Sequence, residues 1–163
     1  MFPKKVKLKK FKDSRGLLVE LLPRSINKKF IYSIISKSKK NVIRGMHYDL
    51  ELKEEKLVYI LEGKILDVCI NLSKGKYFKK KFYNVLQSGD AILIPKGYAH
   101  GYRCYGEKNL LIYFLTKKYN KKESRGIIWN DKSLKIKWKI TKPIISSRDL
   151  KLPTLNKWIK LNF

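Results

Sequence analysis

Two histidines are the first candidates for chemistry in this sequence, because the chain of 163 residues contains no others. His47 follows Arg44 by three positions in the strand-like run VIRGMHY, and His100 lies between Gly97 and Gly101 in IPKGYAHGY. An imidazole can be a hydrogen-bonded core group, a metal ligand or a catalytic base. For a lone histidine we favour the core group, so the neighbouring residues have to distinguish the three roles.

Strand geometry constrains what Arg44 and His47 can do together. In a regular strand the two side chains would point to opposite faces, because side chains alternate with a period of two. Gly45 lies between them, and a glycine within a strand pattern often marks a β-bulge that redirects its neighbours. We therefore predict a bulge at Gly45 that turns both basic side chains into one cavity.

A metal site would need more ligands than the two histidines supply. Jelly-roll barrels of the cupin class bind metals between two such strands, usually with three histidines and an acid, often including a His-x-His pair. The corresponding segment here is His47-Tyr48-Asp49, so Asp49 or a glutamate would have to complete the ligand set. We predict metal-free chemistry and no cofactor.

Short apolar runs separated by turn signals dominate the elements that must position these residues. Glu62-Gly63-Lys64 predicts a tight hairpin with glycine at positive φ, and Lys74-Gly75 and Ser88-Gly89-Asp90 predict further turns. The apolar runs are LVYIL, ILDVCINL, KFYNVL, AILIP and NLLIYFLT. This pattern predicts an all-β antiparallel sandwich or barrel, in a single domain that spans residues 1–163.

The tail LPTLNKWIKLNF is the one segment with a helical period. It predicts a short peripheral amphipathic helix whose packed side chains are Leu155, Trp158, Ile159 and Phe163.

Composition limits the possible partners and location. The net charge of +26 comes from 39 Lys and Arg against 13 Asp and Glu, scattered in short lysine runs without a recognisable nucleic-acid-binding motif. We predict a solvated basic surface that attracts anionic ligands, and no nucleic-acid partner.

Cys69 and Cys104 lie in apolar runs without metal-type spacing and fit buried thiols in a reducing compartment. With neither a signal peptide nor a transmembrane-length run in the sequence, we predict a cytoplasmic protein with no membrane partner.

Three short motifs, RG-x-H, GYAHG and WND, occur in series along the chain. They lie within longer stretches that cover nearly the whole chain: FKDSRGLLVE, SKSKKNVIRGMHYD, EEKLVYILEGKILDVCINL, ILIPKGYAHGY, LLIYFLTKKY, IIWND, LKIKW and ISSRDLKLP. In these stretches and in their order the sequence resembles the family of dTDP-4-dehydrorhamnose 3,5-epimerases, metal-independent cupins that act on nucleotide-linked 4-keto-6-deoxy sugars. The resemblance implies a cupin-type double-stranded β-helix jelly roll, a nucleotide-diphospho-sugar substrate, and a homodimer that exchanges N-terminal strands.

The family's chemistry also implies roles for individual residues. A ketone acidifies the protons on both flanking carbons, so inversion through an enolate needs a base, an acid and cations near the oxyanion. By resemblance, His47 is the base, Asp149 orients it and Tyr113 is the acid. Lys56 matches the family lysine near the keto oxygen.

A second group of residues matches the substrate contacts of the family. Arg44 and His100 match residues that support the oxyanion and the diphosphate. Arg15 and Glu20 match contacts to the nucleotide sugar, and Tyr119 matches the aromatic ring on which the nucleobase stacks.

The sequence departs from the family mainly among the residues that recognise the nucleotide. Tyr32 and Ile34 stand where glutamine and asparagine are usual, Ser124 replaces a glutamate beside Glu123, and Asp49 replaces a glutamine. The catalytic set is intact, so we predict an epimerase for surface-polysaccharide deoxysugars and leave its nucleotide open. The alternatives are a single-centre epimerase, a 3,4-ketoisomerase, and a non-catalytic cupin that binds anionic ligands.

Overall fold

This computed structural model describes residues 1–22, 24, 26 and 29–162, and these contain twelve β-strands and two short helices. The strands are β1 (Lys4–Lys5), β2 (Lys9–Asp13), β3 (Gly16–Glu20), β4 (Tyr32–Lys39), β5 (Ile43–Asp49), β6 (Lys56–Glu62), β7 (Lys64–Asn71), β8 (Lys81–Gln87), β9 (Ala91–Ile94), β10 (Tyr98–Cys104), β11 (Lys108–Leu115) and β12 (Ser124–Gly126). The helices are α1 (Ser147–Leu150) and α2 (Leu155–Asn162).

Ten of these strands form two antiparallel sheets that face each other. One sheet has the order β1-β9-β6-β11-β4 and the other β12-β5-β10-β7-β8, while β2 and β3 form a separate hairpin. The prediction of an all-β fold with short helices is confirmed. Neither described helix is long and apolar enough to cross a lipid bilayer.

Strand β7 shows why its sequence is apolar throughout rather than alternating. Ile65 and Cys69 pack between the two sheets, whereas Val68 and Ile70 face the opposite way, toward a second core that includes Trp158 of α2. A strand that is covered on both faces has no position that must be polar. Helix α2 confirms the predicted C-terminal helix and buries Leu155 and Trp158, with Ile159 partly buried; Phe163 lies outside the described residues.

The predicted hairpin at Gly63 is wrong. Strand β6 pairs with β9 and β11 in one sheet, and β7 pairs with β8 and β10 in the other, so this connection crosses between the sheets. The local prediction of positive φ is confirmed, since Gly63 has φ +95°. The turn at Lys74-Gly75 does join the paired strands β7 and β8. Both connections contain a glycine at positive φ, so the local sequence does not distinguish them. They differ only in which strands pair on either side of the turn.

Large apolar side chains remain exposed at the N-terminal part of the chain. Leu17 and Leu18 in the β2–β3 hairpin are 58% and 68% exposed, and Ile31 and Ile35, before and within β4, are 70% and 65% exposed. Exposed apolar groups of this size in one region are typical of a surface that another molecule covers.

Candidate active site

A cavity of about 320 Å³ receives residues from both sheets. Strands β4, β5, β6, β10 and β11 and the loop after β11 contribute to its walls. Six of the predicted site residues line it, namely Arg44, His47, Lys56, His100, Tyr113 and Tyr119. The structure thus brings together residues that are spread over 76 positions of sequence, from 44 to 119 counted inclusively.

The predicted bulge at Gly45 is confirmed. In the β5–β10 pair His100 lies opposite His47 while Tyr102 lies opposite Arg44, so β5 holds one extra residue between the two points. Gly45 has φ +128°, and a Cβ atom there would lie 2.5 Å from the Cα of Gly101. Only glycine fits this conformation and this close approach. As a result, Arg44 and His47 both line the cavity.

Asp149 lies directly behind His47. Its Oδ1 is 2.8 Å from His47 Nε2, and its Oδ2 accepts a hydrogen bond from the Gly45 N–H at 3.3 Å. Ser146 caps helix α1 and accepts the Asp149 N–H, which sets the position of the carboxylate. Burial acts to raise the pKa of Asp149, but the hydrogen bond and charge of His47, with the Gly45 N–H, outweigh it and lower the pKa. The aspartate is therefore ionised at neutral pH.

His100 forms a second and more deeply enclosed pair with Asp67. The distance from His100 Nε2 to Asp67 Oδ2 is 2.5 Å, and both residues are buried. Asp67 was not among the residues predicted for the site. It lies between Ile65 and Cys69 on the face of β7 that points between the sheets. An acidic residue within an otherwise apolar run was the feature of the sequence that could have indicated its role. A buried carboxylate requires a partner, and His100 on the adjacent strand is that partner.

Tyr113 is a buried phenol at the cavity wall. Its ring lies edge-on to His100 with centroids 6.2 Å apart, and its hydroxyl interacts with that of Tyr102. Tyr102 in turn is hydrogen-bonded to Ser36 Oγ at 2.8 Å. Burial, and then the neighbouring Tyr102 and Asp67, raise the pKa of Tyr113 well above its ordinary value. Tyr113 is thus a neutral phenol that can donate a proton.

Cationic groups of the cavity are held by acidic or hydroxyl partners. Lys56 Nζ lies 3.1 Å from Glu54 Oε2, and both side chains are largely buried. Arg44 Nε donates to Ser38 Oγ at 3.0 Å. Asp49, considered above as a metal ligand, instead accepts the backbone N–H of Glu54 at 2.9 Å. The cavity wall therefore presents positive charge in fixed positions, which suits an anionic substrate.

Arg15 and Glu20 do not join this cavity within their own chain. Arg15 lies in the β2–β3 turn, where its guanidinium contacts Asp13 at 2.6 Å, and Glu20 ends β3 opposite Lys9. Tyr119, in contrast, is half-exposed at the cavity rim.

The residues that depart from the family pattern divide into two groups. Ile34 lines the cavity and lies opposite Tyr113 in the β4–β11 pair, and Glu123 and Ser124 also line it. Tyr32 instead packs against the core between the sheets. A further cavity residue that the sequence did not single out is Arg148, which precedes Asp149 and donates to Ser124 Oγ at 2.8 Å.

Sequence and fold are both similar to those of known proteins. A sequence model described as dTDP-4-dehydrorhamnose 3,5-epimerase matches residues 4–157. The chain is 33% identical over 153 residues to the dTDP-4-dehydrorhamnose 3,5-epimerase of Shigella flexneri, which covers 87% of this chain and 84% of that protein. It is 35% identical over 140 residues to the spore coat polysaccharide biosynthesis protein SpsL of Bacillus subtilis (strain 168), with 81% and 91% covered. A crystal structure of dTDP-4-dehydrorhamnose 3,5-epimerase from Bacillus anthracis str. Ames, with TDP and PPi bound, matches at a TM-score of 0.88 and 30% identity over 94% of each chain.

Fold and site together define the class of protein. Two facing antiparallel sheets around a cavity with histidine, tyrosine and lysine side chains are the cupin-type jelly roll of sugar-nucleotide isomerases. The chain belongs to the dTDP-4-dehydrorhamnose 3,5-epimerase family. The resemblance inferred from its motifs is confirmed.

Proposed function

We propose that this protein is an isomerase that epimerises a nucleotide-diphospho-4-keto-6-deoxy sugar at the carbons flanking the ketone. One observation carries this proposal: His47, backed by the ionised Asp149, and the neutral phenol of Tyr113 line the same cavity. Such a base and acid, with cations between them, are the groups that deprotonation to an enolate and reprotonation require. The similar proteins are dTDP-4-dehydrorhamnose 3,5-epimerases, which supports the same reaction.

The first step is proton abstraction by His47. Asp149 engages Nε2, so Nδ1 is the nitrogen that takes the proton from the carbon beside the ketone. The C–H electron pair moves into an enolate, and the carboxylate stabilises the imidazolium that forms.

The second step is stabilisation of the enolate oxygen. We assign this role to the Lys56 ammonium and to the His100–Asp67 pair, because both lie at the cavity and are held by partners before substrate arrives. Donors that are already oriented lose little free energy to reorganisation during the reaction. We assign binding of the diphosphate to Arg44 and Arg148, because both are cations that line the cavity.

The third step is protonation of the enolate carbon from the other side of the ring by Tyr113. Its raised pKa keeps the proton on the phenol until a carbanion-like carbon accepts it. Solvent then returns a proton to Tyr113 and removes one from His47, so the net change is an inversion without consumption of any reagent. We infer that the cycle runs once at each flanking carbon and requires no cofactor.

We also propose that the enzyme is a homodimer. The β2–β3 hairpin exposes Leu17 and Leu18, while Arg15 and Glu20 lie away from the cavity of their own chain. Exchange of this hairpin would cover the apolar side chains and bring both polar residues toward the partner's cavity. A closed twofold dimer is the commonest arrangement of soluble homo-oligomers.

The setting that we propose is the cytoplasm, where residues 1–163 would act as one catalytic domain in deoxysugar synthesis for a surface polysaccharide. The polysaccharide role of the similar Bacillus subtilis protein supports this assignment.

Proton NMR in deuterated water tests the reaction directly. The enzyme would be incubated with dTDP-, GDP- and CDP-linked 4-keto-6-deoxyglucose, and deuterium at both carbons beside the ketone is the expected result with at least one of them. Deuterium at one carbon would indicate a single-centre epimerase, and a 3-keto product would indicate a ketoisomerase. Exchange with none of the substrates would overturn the proposal in favour of a binding protein.

A further inference from the structure

Three potential metal ligands converge at the inner wall of the sandwich, beside the proposed active site. Asp67 and Cys69 are two positions apart on β7 and therefore share a face, and Cys69 lies opposite His100 in the β7–β10 pair. The Cys69 Sγ atom is 3.5 Å from Asp67 Oδ1, and His100 Nε2 is 2.5 Å from Asp67 Oδ2. One ligand atom from each residue lies within 4.8 Å of the other two, and all three residues are buried.

The donor set is chemically specific. A thiolate, an imidazole nitrogen and a carboxylate oxygen are the groups that bind Zn²⁺, commonly as three protein ligands with a fourth position open. Among the described residues, this is the one group of three or more His, Cys, Asp and Glu side chains that is close enough to hold a metal. His100 also lines the active-site cavity, so the fourth position would be reached from that side.

Charge balance favours a divalent cation at this site. One thiolate and one carboxylate together neutralise a dication, which removes most of the cost of burying it. The nearby Lys56 ammonium is the main opposing charge, and Glu54 at 3.1 Å offsets it. Metal binding would release the Cys69 thiol proton to solvent and would replace the proton that His100 and Asp67 share.

We propose that Asp67, Cys69 and His100 form a binding site for a thiophilic dication of the Zn²⁺ class, and that an ion there inhibits the enzyme. The inhibition follows because the ion occupies the pair to which we assign enolate stabilisation, and this part rests on the proposed function. Binding of the metal does not rest on it. A chelator would therefore restore activity lost to zinc and leave the metal-free enzyme unaffected.

Cysteine variants with a matched control test the site. The variant is Cys69→Ala, and the control is Cys104→Ala, which removes the other buried thiol from the same core. Burial raises the pKa of Cys69 well above its ordinary value and that of Cys104 to about 11, so the two thiols are alike in being protonated. The probe is Co²⁺ added to the tag-free protein, since a thiolate ligand produces a charge-transfer absorption in the near ultraviolet.

The expected result is a cobalt–thiolate band in the wild type and in Cys104→Ala, and no band in Cys69→Ala. Loss of a residue that only contacts a metal ligand typically lowers metal affinity roughly 10- to 100-fold. Cys69→Ala removes a ligand itself, so we expect it to lower Co²⁺ affinity by more than that. Zn²⁺ should inhibit the wild type and Cys104→Ala, while Cys69→Ala keeps its activity at the same zinc concentration. Cys69→Ser, which preserves the size of the side chain, should behave like Cys69→Ala.

Two results would overturn the metal site. These are no cobalt–thiolate band in the wild type, or a band of equal strength in Cys69→Ala and Cys69→Ser. Equal zinc inhibition in all variants would overturn the inhibitory role and indicate adventitious surface binding. Because the cobalt spectrum needs no substrate, the expected spectra in an enzyme without epimerase activity would leave the metal site standing and remove the proposed function.

Discussion

The two histidine–aspartate pairs of the cavity differ mainly in their contact with solvent. In the His47–Asp149 pair the side chains are 30% and 6% exposed, whereas in the His100–Asp67 pair they are 4% and 0% exposed. An imidazole that reaches the cavity on one side and a carboxylate on the other can exchange protons with a bound ligand. An imidazole that is enclosed together with its partner is better suited to hold a fixed dipole or charge.

The pairs also differ in how the chain assembles them. His100 and Asp67 lie 33 positions apart on adjacent strands of one sheet, so strand pairing alone brings them together. His47 and Asp149 lie 102 positions apart, and the short helix α1 has to dock behind β5 to complete the pair. One pair is thus part of the barrel, and the other depends on the C-terminal segment that packs against it.

Replacement of His47 should have the largest effect on turnover. General acid or base groups contribute on the order of a hundred- to ten-thousand-fold, so His47→Ala should lower kcat by about that factor and stop deuterium exchange. His100→Ala should lower kcat less, because we do not assign proton transfer to it. Steady-state kinetics and NMR exchange on both variants make the comparison, and a larger loss in His100→Ala would reverse the assignment of the two pairs.

Replacement of Tyr113 should separate exchange from inversion. Tyr113→Phe removes the phenol that protonates the enolate carbon from the side of the sugar ring opposite to His47. The value of kcat should therefore fall by about a hundredfold or more. The base at His47 is untouched, and deuterium should still enter the substrate with retained configuration. Tyr98→Phe is the control, because Tyr98 is buried in the same core and its hydroxyl accepts a hydrogen bond from the Asn71 side-chain amide. Wild-type turnover in Tyr113→Phe would show that another group is the acid.

The His100–Asp67 pair should matter more for stability than the His47–Asp149 pair, which is the reverse of their expected order for activity. Removing one partner of a buried pair typically costs about 3–5 kcal/mol, so Asp67→Ala should lower the free energy of unfolding by roughly that amount. Asp149→Ala should cost less, since cavity water can solvate His47. Urea unfolding monitored by circular dichroism measures both values, and equal losses would show that the difference in burial has no energetic consequence.

The smallest predicted effect is a pH dependence of stability that arises from Asp149. Its pKa is lowered in the folded protein from the ordinary value of 3.8, so its contribution to stability is present above that value. The contribution is lost as the pH falls through the lowered folded-state pKa. The difference in unfolding free energy between wild type and Asp149→Asn should thus shrink in strong acid. A constant difference down to the lowest pH at which both fold would contradict this.

Local patterns in the sequence were sufficient for part of this description. The bulge at Gly45, the positive φ at Gly63 and helix α2 each depend on a few adjacent residues, and the all-β class follows from short apolar runs that repeat along the chain. Their conformations are restricted by sterics and by side-chain periodicity, so a short stretch determines them. Motif resemblance added Asp149 and Tyr113, which no local pattern distinguishes from an ordinary acid and an ordinary strand aromatic.

Tertiary structure alone decided which of these elements meet. The crossing between sheets at Gly63, the partnership of Asp67 with His100, and the distance of Arg15 and Glu20 from their own cavity could not be derived locally. Strand pairing reflects the free energy of whole sheets, in which many small contacts along β6, β7 and β10 are summed. A turn of three residues can join strands of the same sheet or of two different sheets. The packing of the core determines which of these pairings forms.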